Sequence, residues 1–254
     1  MISPLFISFI LFVLGALSAS FTGVVAERIH TGQSWVRGRS RCNSCGTLLD
    51  ARDLFPVISW FLYLGRCRTC RARVPMTYVV TEIALGTSFV LAYTTIGLTS
   101  VLPFFLVGLT VLLFIVLYDL RHMVVPTGSS NSLIVLSLII AFLSAHSSKE
   151  FGLVLVSSGV IALFFFLMHV LSKGRAMGLG DAPVALALSL MVGTYAFAGV
   201  MFSFWIGALY GIVVLSTRRG GPRMGIEVPF VPFLALGYLL AFFSTWNPFA
   251  LVLW

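Results

Sequence analysis

Charged side chains are scarce here: they make up 9% of the 254 residues, against roughly a quarter in an ordinary soluble domain. That excludes a soluble enzyme. A disordered chain is excluded as well, because 59% hydrophobic residues and a mean hydropathy of +1.06 leave no shortage of surface to bury. Acidic residues are fewest, eight Asp and Glu against sixteen Lys and Arg. The resulting net charge of +8 in so apolar a chain reports orientation in a membrane before any nucleic-acid partner, and none is expected. No Gly-rich nucleotide loop of the soluble dinucleotide-fold type is present. The four cysteines all fall within residues 42–70.

What the sequence does have is apolar blocks of about the twenty residues that cross a hydrocarbon core some 30 Å thick. They predict an all-α polytopic membrane protein with spans near Pro4 to Ala26, Met76 to Ile96, Val101 to Tyr118, Asn131 to Ala145 and Phe151 to Ser172, then Ala182 to Gly193, Phe197 to Ser216 and Val228 to Phe243. Eight is the expected count, with the apolar tail 244–254 unassigned. The first block is too long for a signal-peptide core and is followed by Glu27 and Arg28 with no small-residue cleavage site, so it is expected to stay attached. The expected division is a first transmembrane helix (1–26), an extramembrane module (27–75) and a helical bundle (76–254).

The module holds Arg28, Arg37, Arg39, Arg41, Arg52, Arg66, Arg68, Arg71 and Arg73. If it is cytoplasmic, eight alternating spans also place Arg121, Lys173, Arg175, Arg218, Arg219 and Arg223 inside and leave only Lys149 outside. This positive-inside asymmetry puts both termini on the outer side and brings the arginines within reach of anionic membrane lipid, at about 1 kcal/mol each.

The same module carries Cys42-Asn-Ser-Cys45 and Cys67-Arg-Thr-Cys70. Two C-x-x-C turns can aim four thiolates at one tetrahedral zinc ion, whereas disulfides would not persist on the cytoplasmic side. Four thiolates leave no open position for substrate. The zinc is therefore expected to be structural, folding a loop-rich segment too poor in core to fold alone.

Among the few carboxylates, Asp119 and Asp181 lie at the ends of apolar spans on the same, cytoplasmic side. A carboxylate at the bilayer centre costs about 3 kcal/mol, whereas at a helix end inside a bundle it can meet water and substrate. Two such groups can share one proton, the ionised one activating water while the other donates to a scissile carbonyl. Gly178 and Gly180, in Gly-Leu-Gly-Asp181, would let another part of the chain approach closely. Taken singly, Asp181 before Ala-Pro also reads as a helix N-cap and Asp119 as an interfacial residue near Arg121.

These residues carry a resemblance that runs through nearly the whole chain. It is similar to the type IV prepilin peptidases, bifunctional leader peptidases and N-methyltransferases of the GxGD aspartic class. The family's opening G-S-F-x-N-V-x-x-x-R is matched by Ala19-Ser20-Phe21-Thr22-Gly23-Val24 through Arg28, and its cysteine module by Ser40-Arg41-Cys42, Asp53 to Trp60 and Gly65-Arg66-Cys67. Its Y-P-x-V-E falls on Tyr78 to Glu82, and its late P-F-x-P-F-L-A is Pro229 to Ala235. The family's catalytic aspartates fall on Asp119, seven residues before Pro126, and on Asp181. Departures stand at Gly23, Leu54, Val79 and Ala182-Pro183. None touches the aspartates, and the first three lie in the half associated with methyl transfer.

The resemblance implies cleavage of prepilins or pseudopilins after the Gly that ends a short basic leader, at the cytoplasmic face of a bacterial inner membrane. Methylation of the new amino terminus from S-adenosylmethionine would follow, with Glu27 and Glu82 as candidates near the amino group or the methyl donor. Interfacial snorkelling or pairing of Glu27 with Arg28 is the other reading of these two. His122 is close enough in sequence to meet Asp119 on a helical turn but reads better as a surface imidazole, and His30, His146 and His169 show no ligand spacing. A presenilin-like intramembrane protease would share the aspartate motifs but carries a Pro-Ala-Leu motif, absent here. A zinc-stapled transporter or scaffold is the alternative from another class; transporters tend to place their ionisable residues at midplane, whereas these carboxylates sit at one edge. The sequence is silent on oligomeric state.

Overall fold

The computed structural model describes residues 3–32, 34, 38–175, 177–217 and 228–246. Those residues form α1 (Pro4–Thr31), α2 (Ile58–Leu62), α3 (Met76–Ile96), α4 (Val101–His122), α5 (Thr127–Ser144), α6 (Ser148–Ser172), α7 (Asp181–Val192), α8 (Ala196–Thr217) and α9 (Val231–Ser244). Among the described residues, six helical stretches are long and apolar enough to cross a membrane, α7 and α8 counting as one stretch of 37 residues. The protein is thus a helical multi-pass membrane protein. A 3-10 turn at Gly193–Tyr195, with Gly193 at φ +60°, breaks the long stretch where the sequence separated two spans. At 14 residues α9 is about 21 Å long, short of the hydrocarbon thickness.

The helix ends differ from the sequence-based ones in ways that matter to the site. α4 runs on to His122, so Asp119 sits inside its last turn. α5 begins directly after Pro126, whose ring cannot continue a helix from before it. α2 has no counterpart in the sequence reading. Arg37, Arg218, Arg219 and Arg223, which enter the orientation argument, lie outside the described residues, as do Glu227 and the tail beyond Trp246.

Two compact units emerge, Met1–Leu102 and Pro103–Trp254. In the first, α3 packs along α1, whereas the sequence division grouped it with the later helices. The two backbones touch where glycine faces glycine: a Cβ on Gly15 would lie 2.8 Å from the Gly86 Cα. Such close crossings between small residues are how helices associate where lipid supplies no hydrophobic drive.

The second unit is organised around α7, which packs against α5, α6, α8 and α9. Ten of its twelve residues are buried, among them Val184, Ala185 and Leu188. Its one central polar side chain, Ser189, shares a 2.8 Å hydrogen bond with the buried Tyr238 hydroxyl of α9. At about 18 Å α7 is too short to span alone. Wrapped by protein, it can end at a carboxylate without presenting that charge to hydrocarbon.

Candidate active site and metal centre

In the first unit the two C-x-x-C segments fold into matching knuckles. Cys42 N–H donates to the Thr47 carbonyl at 2.9 Å, and Cys67 N–H to that of Ala72 at 2.8 Å. Isolated bridges between Arg41 and Leu48, and between Arg66 and Arg73, flank them. Each turn closes through a left-handed residue just after its second cysteine, Gly46 (φ +71°) and Arg71 (φ +60°). Asp50 links the knuckles by lying 3.5 Å from Arg39 and 3.2 Å from Arg68.

The result is that the Cys42, Cys45, Cys67 and Cys70 sulfurs lie within 4.8 Å of one another, with Cys42 and Cys70 3.8 Å apart. A tetrahedron with metal–sulfur bonds of about 2.3 Å has edges of about 3.8 Å, so the cluster could hold one metal ion. Its electrostatics agree. The Thr47 hydroxyl, 3.2 Å from the Cys45 sulfur, and then the Thr47 N–H bring the Cys45 thiol down to about 6. Although the Ala72 N–H favours its thiolate, Cys70 is pushed up to about 11 by desolvation and by three sulfur neighbours. Four adjacent thiols cannot all ionise without a cation among them.

Beside the knuckles is a cavity of about 850 Å³ that Ser20, Glu27, Trp60, Tyr78 and Glu82 help to line. Both carboxylates named by the sequence reach it, in different states. Glu27 is exposed and accepts from the Tyr78 hydroxyl at 3.1 Å, while Arg28 donates to the Ser34 and Arg39 carbonyls. Glu82 is buried and already engaged, accepting from the Val57 N–H at 2.7 Å and from the Ser20 hydroxyl.

The aspartates meet in the second unit. Asp119 and Asp181 are both buried, at 5% and 6% exposure, and lie within electrostatic range of each other. After Asp119, α4 ends with Met123 at φ +53° and its N–H on the Asp119 carbonyl at 2.8 Å. The end of a helix is an unfavourable place for a carboxylate. Here the start of α9 offsets it, because the Val231 N–H, unpaired within its own helix, donates to the Asp119 carboxylate. The late Pro-Phe-Val-Pro motif therefore has a physical task. The other oxygen of Asp119 is buried and has no hydrogen-bond partner among the described residues.

Asp181 occupies the first turn of α7, where the helix dipole favours negative charge. The N-cap is Gly180, not Asp181, which instead accepts from the Gly178 N–H at 3.0 Å and closes its own loop. The two motif glycines do different things. A Cβ on Gly180 would lie 2.6 Å from the Val125 Cβ, so only glycine lets this loop lie against the segment that follows Asp119. A Cβ on Gly178 would meet nothing closer than the Asp181 carboxylate at 3.5 Å.

His169, to which the sequence assigned nothing, belongs to this site. Its Nδ1 lies 2.9 Å from the Met177 carbonyl, and it is in electrostatic range of Asp181. The contact spans a loop that no spacing rule reads. His122 packs its ring on Tyr118, with centroids 4.5 Å apart.

Residues 13–96 match the family model of the bacterial peptidase A24 N-terminal domain, and residues 106–215 that of the type IV leader peptidase family. Among curated relatives, a prepilin leader peptidase/N-methyltransferase of Myxococcus xanthus is 32% identical over 226 residues, 87% of this chain and 67% of the relative. One of Bacillus subtilis is 27% identical over 92% of both chains. A type 4 prepilin-like proteins leader peptide-processing enzyme of Escherichia coli is 26% identical over 81% of this chain and 77% of the relative. No solved structure matches. With both halves of the chain matched, and the two buried aspartates inside the second match, the protein belongs to the type IV leader peptidase family.

Proposed function

We propose that this protein removes the leader from type IV prepilins or pseudopilins with Asp119 and Asp181 as its catalytic pair. The observation that carries the reading is the pair itself: two buried carboxylates in electrostatic range, one with an oxygen that no group among the described residues satisfies. Carboxylates so arranged share one proton. The protonated one donates to the scissile carbonyl oxygen while the ionised one takes a proton from water, whose oxygen bonds to the carbonyl carbon. The tetrahedral diol then collapses: the C–N bond breaks, a proton passes to the leaving nitrogen, and the pair returns to its one-proton state. Gly180 and the Val231 N–H hold the two carboxyls in place.

The further reading is eight crossings of a bacterial inner membrane, both termini outside, with the 27–75 module and the aspartates on the cytoplasmic side. The four cysteines would hold zinc, which supplies the fold of the module and takes no part in the reaction. The new amino terminus is then methylated in the first unit, whose cavity falls within the roughly 300–1,000 Å³ range of small-molecule sites. S-adenosylmethionine would supply the methyl group there. The chain's own contribution is the exposed carboxylate of Glu27, able to accept from a positive amino group, and Glu82, which borders the cavity and accepts the Val57 N–H.

Incubating detergent-purified protein with a prepilin and sizing the product tests the peptidase reading. Wild type shortens the substrate, whereas Asp119→Asn and Asp181→Asn do not. The double variant is scarcely worse than either single one, because residues that act as a unit are not additive. Cleavage by either single variant at the wild-type rate returns that residue to a structural role.

A further inference from the structure

The segment between the knuckles exposes an apolar surface that, Leu54 apart, lies outside the lining of the cavity assigned to methyl transfer. Leu54, Phe55, Ile58, Phe61, Leu62 and Leu64 are all exposed, from 41% at Leu54 to 81% at Leu64. In water such a cluster would be a liability in a domain otherwise rich in arginine. It is also a built feature. Val57 and Leu64, on either side of α2, are held at φ +63° and +52°, conformations that cost a β-branched or bulky residue energy and persist only when the surroundings impose them.

At Val57 the surroundings are Glu82, whose carboxylate accepts the Val57 N–H. Glu82 lies six residues into α3, about 9 Å along the helix axis from Met76. α3 has 21 residues and is about 32 Å long, so it covers the hydrocarbon core with little to spare. Helical side chains lean toward the N-terminus, which returns the Glu82 carboxylate by one turn at most. Val57 is thereby fixed level with the first turns of the spanning helix. That is the depth of the headgroup and upper acyl region. The exposed guanidinium residues Arg52, Arg66, Arg71 and Arg73 flank the segment in sequence, complementary to anionic headgroups. Trp60 and Tyr63 supply the aromatic side chains that such a boundary favours.

We infer that residues 54–64 form an interfacial anchor, inserted into the cytoplasmic leaflet of an anionic phospholipid bilayer and carrying the cysteine module down onto the membrane. The inference rests on α3 crossing the membrane and not on the chemistry of the aspartates, so prepilin cleavage by the same preparation checks the two separately.

The full chain, carrying the photo-cross-linking residue p-benzoylphenylalanine at position 61, 64 or, as a control in the first knuckle, 43, is reconstituted in vesicles of phosphatidylethanolamine and phosphatidylglycerol. After irradiation, intact-protein mass spectrometry gives phospholipid adducts at 61 and 64 and none at 43. The probe is apolar like the side chains it replaces, so the result does not depend on a destabilised variant. Adducts from 61 and 64 to another part of the chain, to a second copy, or to no partner at all overturn the anchor.

Discussion

Replacing Gly180 by Ala adds one methyl group at the point where the Asp181 loop meets the segment after Asp119. The backbone does not object, since Gly180 has φ −68° and ψ −19°, which alanine adopts freely. The obstacle is Val125: the new Cβ would lie 2.6 Å from its Cβ and 2.8 Å from its Cγ2. Ordinary carbon contacts are about 3.5–4.0 Å, so the two segments must part by about 1 Å. A displacement of that size at a reacting group costs on the order of 10²-fold. At saturating prepilin the kcat of Gly180→Ala should fall about that far, with thermal stability and membrane insertion monitored alongside. Gly178→Ala meets only the Asp181 carboxylate at 3.5 Å, and its kcat should stay within about tenfold of wild type by the same scale. Combining Gly180→Ala with Val125→Gly removes the clashing atoms and should return the rate toward that of Val125→Gly alone. Equal losses in the two single variants, or no recovery in the double, refute the steric argument.

Gently purified protein should contain about one zinc per chain by elemental analysis; changing all four cysteines to Ser should abolish it, leave the helical circular dichroism of the bundle, and harm methylation more than cleavage. His169→Leu should lower kcat for cleavage by about five- to tenfold, one hydrogen bond's contribution, with KM unchanged. His169→Asn, whose amide nitrogen can take the place of Nδ1 against the Met177 carbonyl, should recover most of that loss. Glu82→Gln keeps an acceptor for Val57 and should leave amide hydrogen exchange in residues 54–64 unchanged, whereas Glu82→Leu should speed it. Glu27→Gln should slow methyl transfer and leave leader cleavage at its wild-type rate.

Composition, block length and arginine placement were enough to specify a helical membrane protein, because each is a local property that lipid acts on directly. The C-x-x-C pairs were legible for a similar reason: the spacing within each pair is itself the ligand geometry, and only the meeting of the two pairs needed the fold. Asp119 and Asp181 were legible as scarce carboxylates at helix ends. What holds them was not. Val231, Val125 and His169 reach the pair from elements up to about a hundred residues away, through contacts that leave no periodic trace in the chain. Tertiary structure also separated residues that look alike in sequence. Gly178 and Gly180 share a motif, but only Gly180 lies against Val125. Glu27 and Glu82 both border the cavity, but Glu82 spends its carboxylate on Val57. Sequence sets which groups a segment offers; packing alone decides which of them find a partner within the chain and which are left for a substrate.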